Sequence, residues 1–211
     1  RESLRMPGAL AHPAWRSKFR RYSAAMGKVT FLMNVSLDGY IEAPDRSLDW
    51  STNDDELLGW FNERTRSFEA IDYGRRLFEV MNAHWPTAES DPSLTGTALE
   101  FGRIWNSKPK IVVSSSLQEA PEGWRLTRGD PATILEELRR DFSGDIEIGG
   151  PTLAAGFVQR GLVDEYAVVI HPVILGGGRP MFPDLERPVG LRLLESRTFS
   201  SGVVYLGFAA R

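Results

Sequence analysis

The chain has 211 residues, 42% hydrophobic and 25% charged, enough apolar material for one substantial core, with a single α/β domain as the default. It has no cysteine, which excludes disulfides, thiolate catalysis and cysteine-ligated metal centres. No run approaches the roughly 18 to 20 consecutive apolar residues of a membrane span, so a soluble, cytoplasmic protein without a membrane partner is expected.

The net charge of −3 conceals an asymmetry. Residues 1–27 hold six basic side chains and one acid, leaving 19 basic against 27 acidic in the remainder. An acidic body argues against nucleic acid as a partner. The basic segment lacks the sustained apolar run of a signal peptide. It reads as an arm packing on a partner, a targeting peptide, or sequence upstream of a start at Met26. The expectation adopted is a non-catalytic extension, with the folded domain over 28–211.

Val29 to Val35 is an apolar, β-favouring run without polar alternation, which predicts a strand buried on both faces in the middle of a sheet. Ser36 to Ile41 is turn-prone and opens a loop through Pro44 to Trp50. Ser51 or Thr52 is expected to start a helix whose first-turn acids, Asp54, Asp55 and Glu56, complement its dipole, with Leu57, Leu58, Phe61 and Phe68 facing inward. Ala70 to Tyr73 predicts a short strand delivering Gly74-Arg75-Arg76-Leu77 into another helix. Arginine beside an exposed helix N-terminus suits a doubly charged phosphate; a solvated basic helix end is the alternative.

The loop from Asn82 to Gly96, with His84 and Trp85, reads as surface structure at a pocket rim. Leu99, Ile104 and Trp105 predict a helix ending before Pro109, and Lys110 to Leu117 a strand running into Ser114, Ser115 and Ser116. Those hydroxyls either bind phosphate or begin a turn. Trp124 to Leu126 is a short strand, and Asp130 caps a helix running to about Phe142 with Pro131 in its first turn.

The segment Asp145 to Phe182 is the most patterned. Ile146 and Ile148 alternate with charged residues, Gly149-Gly150 turns, Pro151 opens a short helix, and Gly161 sits where a left-handed cap is expected. A strand feeding two glycines into a helix N-terminus is a seat for phosphate or ordinary turn punctuation. Strands are expected over 162–170, 191–199 and 203–208, the last two as a hairpin. The only histidines, His12, His84 and His171, show no metal-ligand spacing; His171 reads as a structural neighbour of the pocket.

Taken in order, SLDGYI, GRRLFE, VVSSSL and IGGPTLAAGFVQRGLVDEYAVVIHPVILGGGRPMF resemble the dihydrofolate reductase-like superfamily, most closely the reductase domain of the riboflavin-biosynthesis deaminase-reductase and its stand-alone relatives. The resemblance implies a three-layer α/β fold around a mostly parallel sheet of about eight strands with an antiparallel C-terminal edge. It implies NADPH across the strand ends, with Asn34, Val35 and Ile41 framing the nicotinamide and Asp38-Gly39 shaping the loop between them. Gly74, Arg75, Arg76 and Leu77 would receive the cofactor phosphates, and Ser114 and Ser115 would lie near the adenosine 2′-phosphate. Gly149, Gly150, Pro151, Thr152 and Leu153 would form the pyrophosphate turn, with a cis peptide between the two glycines.

It further implies hydride transfer to a small heterocyclic or carbonyl substrate, no metal, and a homodimer. Asp38, Asp55 and Glu56 are the candidate catalytic acids, although none can be placed at the pterin-anchoring carboxylate of true dihydrofolate reductases. Trp50, Trp60 and Phe61 are candidates to line a flat substrate's pocket, as are Trp85 and Phe182. Reduction of folate or of a riboflavin-pathway intermediate is one alternative, and a nucleotide- or pterin-binding module without turnover is another.

Overall fold

The structure is a computed structural model and describes residues 27–51 and 53–211. The basic extension expected over 1–27 therefore lies, apart from Gly27, outside the described residues.

The strand expected to be central is so: β1 (Val29–Ser36) pairs in parallel with β6 (Ile146–Gly149) on one side and β7 (Glu165–His171) on the other. Beyond β6 follow β3 (Ala70–Gly74), β4 (Lys110–Val113) and β5 (Trp124–Thr127), all parallel; beyond β7 come β10 (Val204–Ala210) and β9 (Leu191–Thr198), both antiparallel to their neighbours. This eight-stranded order, β5-β4-β3-β6-β1-β7-β10-β9, has the expected antiparallel edge. Parallel neighbours need crossovers, and the helices supply them.

Among the described residues five α-helices cover the sheet: α1 (Asp55–Ser67), α2 (Arg75–Asn82), α3 (Gly96–Ser107), α4 (Pro131–Asp141) and α5 (Pro151–Gln159). Helix α1 starts later than Ser51 or Thr52 because the Asp54 carboxylate accepts the Leu57 N–H at 2.8 Å and fixes the cap there. Asp130 closes α4 as expected, accepting from Ala132 N–H. The expected strand over 110–117 ends at Val113 because Ser114 Oγ accepts the N–H groups of Ser116 and Leu117, turning the chain. No described helix is long and apolar enough to cross a membrane.

A two-stranded sheet unsuspected from the sequence joins β2 (Tyr40–Glu42) to β8 (Arg179–Pro180). Its backbones run so close that a Cβ on Gly178, φ +123°, would lie 1.9 Å from the Glu42 carbonyl oxygen, so that position requires glycine.

The core divides by sheet face. Phe31, Val35, Ile148, Leu135 and Phe157 fill the side under α4 and α5, while Leu32, Leu57, Trp60, Phe199 and Tyr205 fill the side under α1. Trp60, expected as a substrate contact, is thus core, 4.5 Å from the Tyr205 ring, and Phe61 packs beside it at 5.0 Å. Trp85 and Phe101 pack together at 4.6 Å, so the 82–96 loop lies against α3.

Two acids are buried in the sheet itself. Asp72 on β3 has no exposure and neither oxygen finds a hydrogen-bond partner among the described residues; burial pushes its carboxyl up to about 8. Burial likewise raises Glu147 to about 7, against a hydrogen bond from the Tyr73 hydroxyl at 3.3 Å.

Candidate functional site

Strands of one direction end together, so the loops leaving β3, β4 and β6 meet at one edge, where crevices form in open α/β sheets. There a cleft of about 570 Å³ opens. It brings together Gly74, Arg75, Arg76 and Leu77 after β3, Ser114 and Ser115 after β4, Gly150, Pro151, Thr152 and Leu153 after β6, and Ile41 from the first loop. Segments far apart in the chain thus converge on one cleft.

Two helix N-termini face this space. Helices α2 and α5 begin at Gly74 and Gly150, and neither has a side-chain cap, whereas α1 and α4 are closed by aspartates. Unfilled first-turn N–H groups carry the positive end of each helix dipole, a setting for anions. Arginines reinforce it. Arg76 Nε lies 2.6 Å from Glu42 Oε1, and Arg75 Nε 3.6 Å from Glu79 Oε1. Arg179 donates to the Thr152 hydroxyl and Arg128 to the Leu117 carbonyl. Arg128 and Arg179 went unrecognised in the sequence, along with Met33, Glu42 and Leu48; the signal available for Arg179 was its position directly after Gly176-Gly177-Gly178.

The Gly-Gly turn differs from expectation. No described peptide bond is cis. The chain turns instead through Gly150 at φ +91°, a conformation open to glycine without strain, and its N–H points to Met33 Sδ at 3.5 Å. Gly149 is absent from the cleft wall: it is packed so tightly that a Cβ would stand 2.5 Å from Leu77 and 2.8 Å from Tyr73.

Three expected contacts lie elsewhere, and a fourth stands at the cleft with its hydroxyl engaged. Val35 is a core residue at 3% exposure. The Asn34 side chain turns to the other sheet face, where its Oδ1 is 3.1 Å from His171 Nε2. Ser114 lines the cleft beside Ser115 and Ser116, with its Oγ already accepting the N–H groups of Ser116 and Leu117. Trp50 sits edge-on to His171 at 5.5 Å.

The candidate catalytic acids are all engaged away from the cleft. Asp38 accepts from the Ser36 hydroxyl and from the Leu175 and Gly176 N–H groups, bonds that hold its carboxyl below the usual range. It ties the first loop to the glycine-rich one. Asp55 accepts from the Thr97 hydroxyl at 2.5 Å. Glu56 accepts from Ser200 N–H at 2.9 Å and pairs with Arg197 at 3.1 Å, which lowers its pKa and pins the last hairpin to α1. Among the described residues no group of three or more His, Asp or Glu side chains is placed to hold a metal.

A family model described as the RibD C-terminal domain matches residues 27–205. The chain is similar to the uncharacterized protein YyaP of Bacillus subtilis, 34% identical over 173 residues that cover 82% of this chain and 89% of that one. Among solved structures it is similar to a Shewanella sp. PV-4 protein provisionally assigned to riboflavin biosynthesis, with TM-score 0.71, 22% identity, and coverage of 87% of this chain and 99% of that chain. It is also similar to a dihydrofolate reductase from Enterococcus faecalis complexed with NADP(H), with TM-score 0.60, 14% identity, and coverage of 88% and 98%. These two likenesses show a shared dihydrofolate reductase-like fold.

Proposed function

Because the chain belongs to the RibD C-terminal domain family, we propose that it is an NADPH-dependent oxidoreductase that reduces a small heterocyclic or carbonyl substrate. The observation that carries this is the convergence of two uncapped helix N-termini and the Arg75–Arg76 pair on one cleft at the strand ends.

The residues present fit the cofactor. Gly150 leaves the α5 N-terminus bare, so the first-turn amides of Thr152 and Leu153 suit a pyrophosphate. Arg75, Ser115 and Ser116 suit a 2′-phosphate, with planar bidentate donation from the guanidinium. Met33, Ile41 and Leu48 supply the apolar wall that keeps water from a reduced ring. When bound, NADPH supplies the hydride; these side chains orient it and exclude solvent, which is most of what such a transfer asks of a protein. Asp38, Asp55 and Glu56 are engaged elsewhere, so none of the three stands at the cleft to supply the proton that accompanies the hydride.

The test is a fluorescence titration of NADPH and NADH against the full chain. NADPH is expected to bind at least tenfold more tightly, since hydrogen bonds to charged groups contribute about 1.5–3 kcal/mol each. Arg75→Ala should shrink that ratio toward one; equal dissociation constants in the wild type would remove the 2′-phosphate assignment. Binding without oxidation across a substrate panel would favour a nucleotide-holding module. Family membership favours one second reading, reduction of a riboflavin-pathway intermediate, and turnover with a ribosylaminouracil phosphate distinguishes it.

A homodimer is the proposed assembly. Strand β9 ends the sheet and exposes Leu193 (52%) and Leu194 (45%), and an open apolar edge invites a second copy. Light scattering should report a dimer for the wild type and a monomer for Leu193→Glu with Leu194→Lys; a monomeric wild type would dismiss it.

A further inference from the structure

A second cavity, of about 760 Å³, opens beside the cleft, walled by the turn that follows β2, the first turns of α5 and the chain around β8. Arg76, Thr152 and Arg179 line both spaces, whereas Pro44, Arg46 and Phe182 line this cavity and not the cleft. Cofactor binding gives those three no task.

The charge here runs against that of the molecule. Residues 28–211 hold 19 basic side chains against 27 acids, yet this wall carries three arginines and one carboxylate, Glu42. That carboxylate is already taken, lying 2.6 Å from Arg76 Nε. Arg179 donates to the neutral Thr152 hydroxyl, and the Arg46 side chain has neither a hydrogen bond nor an ion pair among the described residues. Two cations therefore face the cavity without a carboxylate.

The backbone beneath Arg46 is also unusual. At φ +71° it is the one non-glycine residue in the left-handed region among the described residues, a conformation that glycine and asparagine adopt far more readily. The turn is fixed by other groups: Ala43 N–H donates to the Ser47 carbonyl at 3.1 Å, Arg46 N–H to the Ala43 carbonyl at 2.8 Å, and Ser47 N–H to Asp45 Oδ1 at 2.9 Å. None of these bonds uses the arginine side chain. A strained residue whose side chain holds nothing in the fold points to a use for that side chain.

The other walls narrow what it holds. Pro44, Pro180, Met181 and Phe182 offer apolar faces, and Phe182 remains 39% exposed although it stands edge-on to Phe31 at 6.2 Å. Such faces suit a flat ring. A guanidinium fork matches the two oxygens of a carboxylate, and Glu42 on the same wall repels a second negative charge.

We propose that this cavity is a binding site for an organic monoanion, a flat apolar body bearing one carboxylate, with Arg46 as its bidentate partner, Arg179 as the second cation and Phe182 against the ring. The site needs neither nucleotide nor hydride and so stands apart from the reductase reading.

Equilibrium dialysis of the full chain tests it with 2-naphthoate, set against acetate, which is the head without the body, and 2-naphthalenemethanol, the body without the charge. The naphthoate is expected to bind about tenfold or more tightly than either. Arg46→Gly and Arg46→Asn both accept the left-handed turn and remove the fork, so each should weaken naphthoate about tenfold with the circular dichroism spectrum and the NADPH affinity unchanged. Wild-type naphthoate affinity in either folded variant would overturn the proposal by placing the ligand elsewhere. So would a parallel loss of NADPH affinity, equal binding of 2-naphthalenemethanol, or no saturable naphthoate binding up to about 5 mM. Naphthoate binding with these variant effects, in a protein that binds no NADPH, would dismiss the cofactor reading and leave this one standing.

Discussion

Gly150→Val is expected to raise the NADPH dissociation constant by about 100-fold or more in a protein that still folds. A Cβ at Gly150 would meet Leu77 Cβ at 3.5 Å and the Gly74 nitrogen at 3.6 Å, ordinary contacts, so the space admits the first carbon. The backbone does not welcome it: φ is +91°, where a β-branched residue is strained by about 1–3 kcal/mol. The branching methyls must then occupy the gap between Gly74 and Gly150, where the N-termini of α2 and α5 converge. Losing even one or two charge-assisted amide bonds there, at about 1.5–3 kcal/mol each, accounts for the loss.

Gly149→Val serves as the contrast, because its Cβ would stand 2.5 Å from Leu77 and 2.8 Å from Tyr73 inside the core. That variant should fail to fold, so adjacent glycines separate a structural need from a binding one. Circular dichroism and thermal melting establish the folded state, and fluorescence titration reads the affinity. Wild-type affinity in folded Gly150→Val would show the turn to be structural alone.

Legibility in the sequence followed the range of the interactions. The run Val29–Val35 is apolar on both faces because its strand has neighbours on both sides and helices above and below, so its central place could be read locally. The junctions at Gly74 and Gly150 were equally local: strand, glycine, helix. The substrate side was not. Trp50, Trp60 and Phe61 look alike as aromatics flanking one helix start, yet Trp60 closes on Tyr205 while Trp50 closes on His171. Only the pairing of β7 with β1 and β10 decides which of them is core. Glu56 likewise reads as a helix-dipole partner until Arg197 and Ser200, contributed by the distant hairpin, take its oxygens. Strands β2 and β8 are three and two residues long, too short for any periodicity to register.

The second large effect concerns stability and Asp72. Its strand neighbours in register are Ile111 and Ile148, and Ile134, Leu135 and Leu138 of α4 belong to the same core. Nothing hydrogen-bonds its oxygens among the described residues, and the one charge that favours ionisation, Arg125, is paired with Asp141. The side chain titrates near 3.8 when unfolded and at about 8 when folded, so between those values the unfolded chain has released a proton that the folded chain retains. The contribution of Asp72 to stability is therefore greatest below 3.8, falls as pH rises, and levels off above about 8. At 1.36 kcal/mol per unit, the loss between pH 5 and pH 8 is about 4 kcal/mol. Glu147, raised to about 7, adds a slope of the same sign that ends sooner. Asp72→Asn cannot ionise and keeps the shape, so urea titrations should show its stability falling less steeply, with the Glu147 slope remaining and the difference from wild type widening up to pH 8. Parallel pH profiles for the two proteins would mean that Asp72 is ionised in the fold, and that Arg125 or water reaches it.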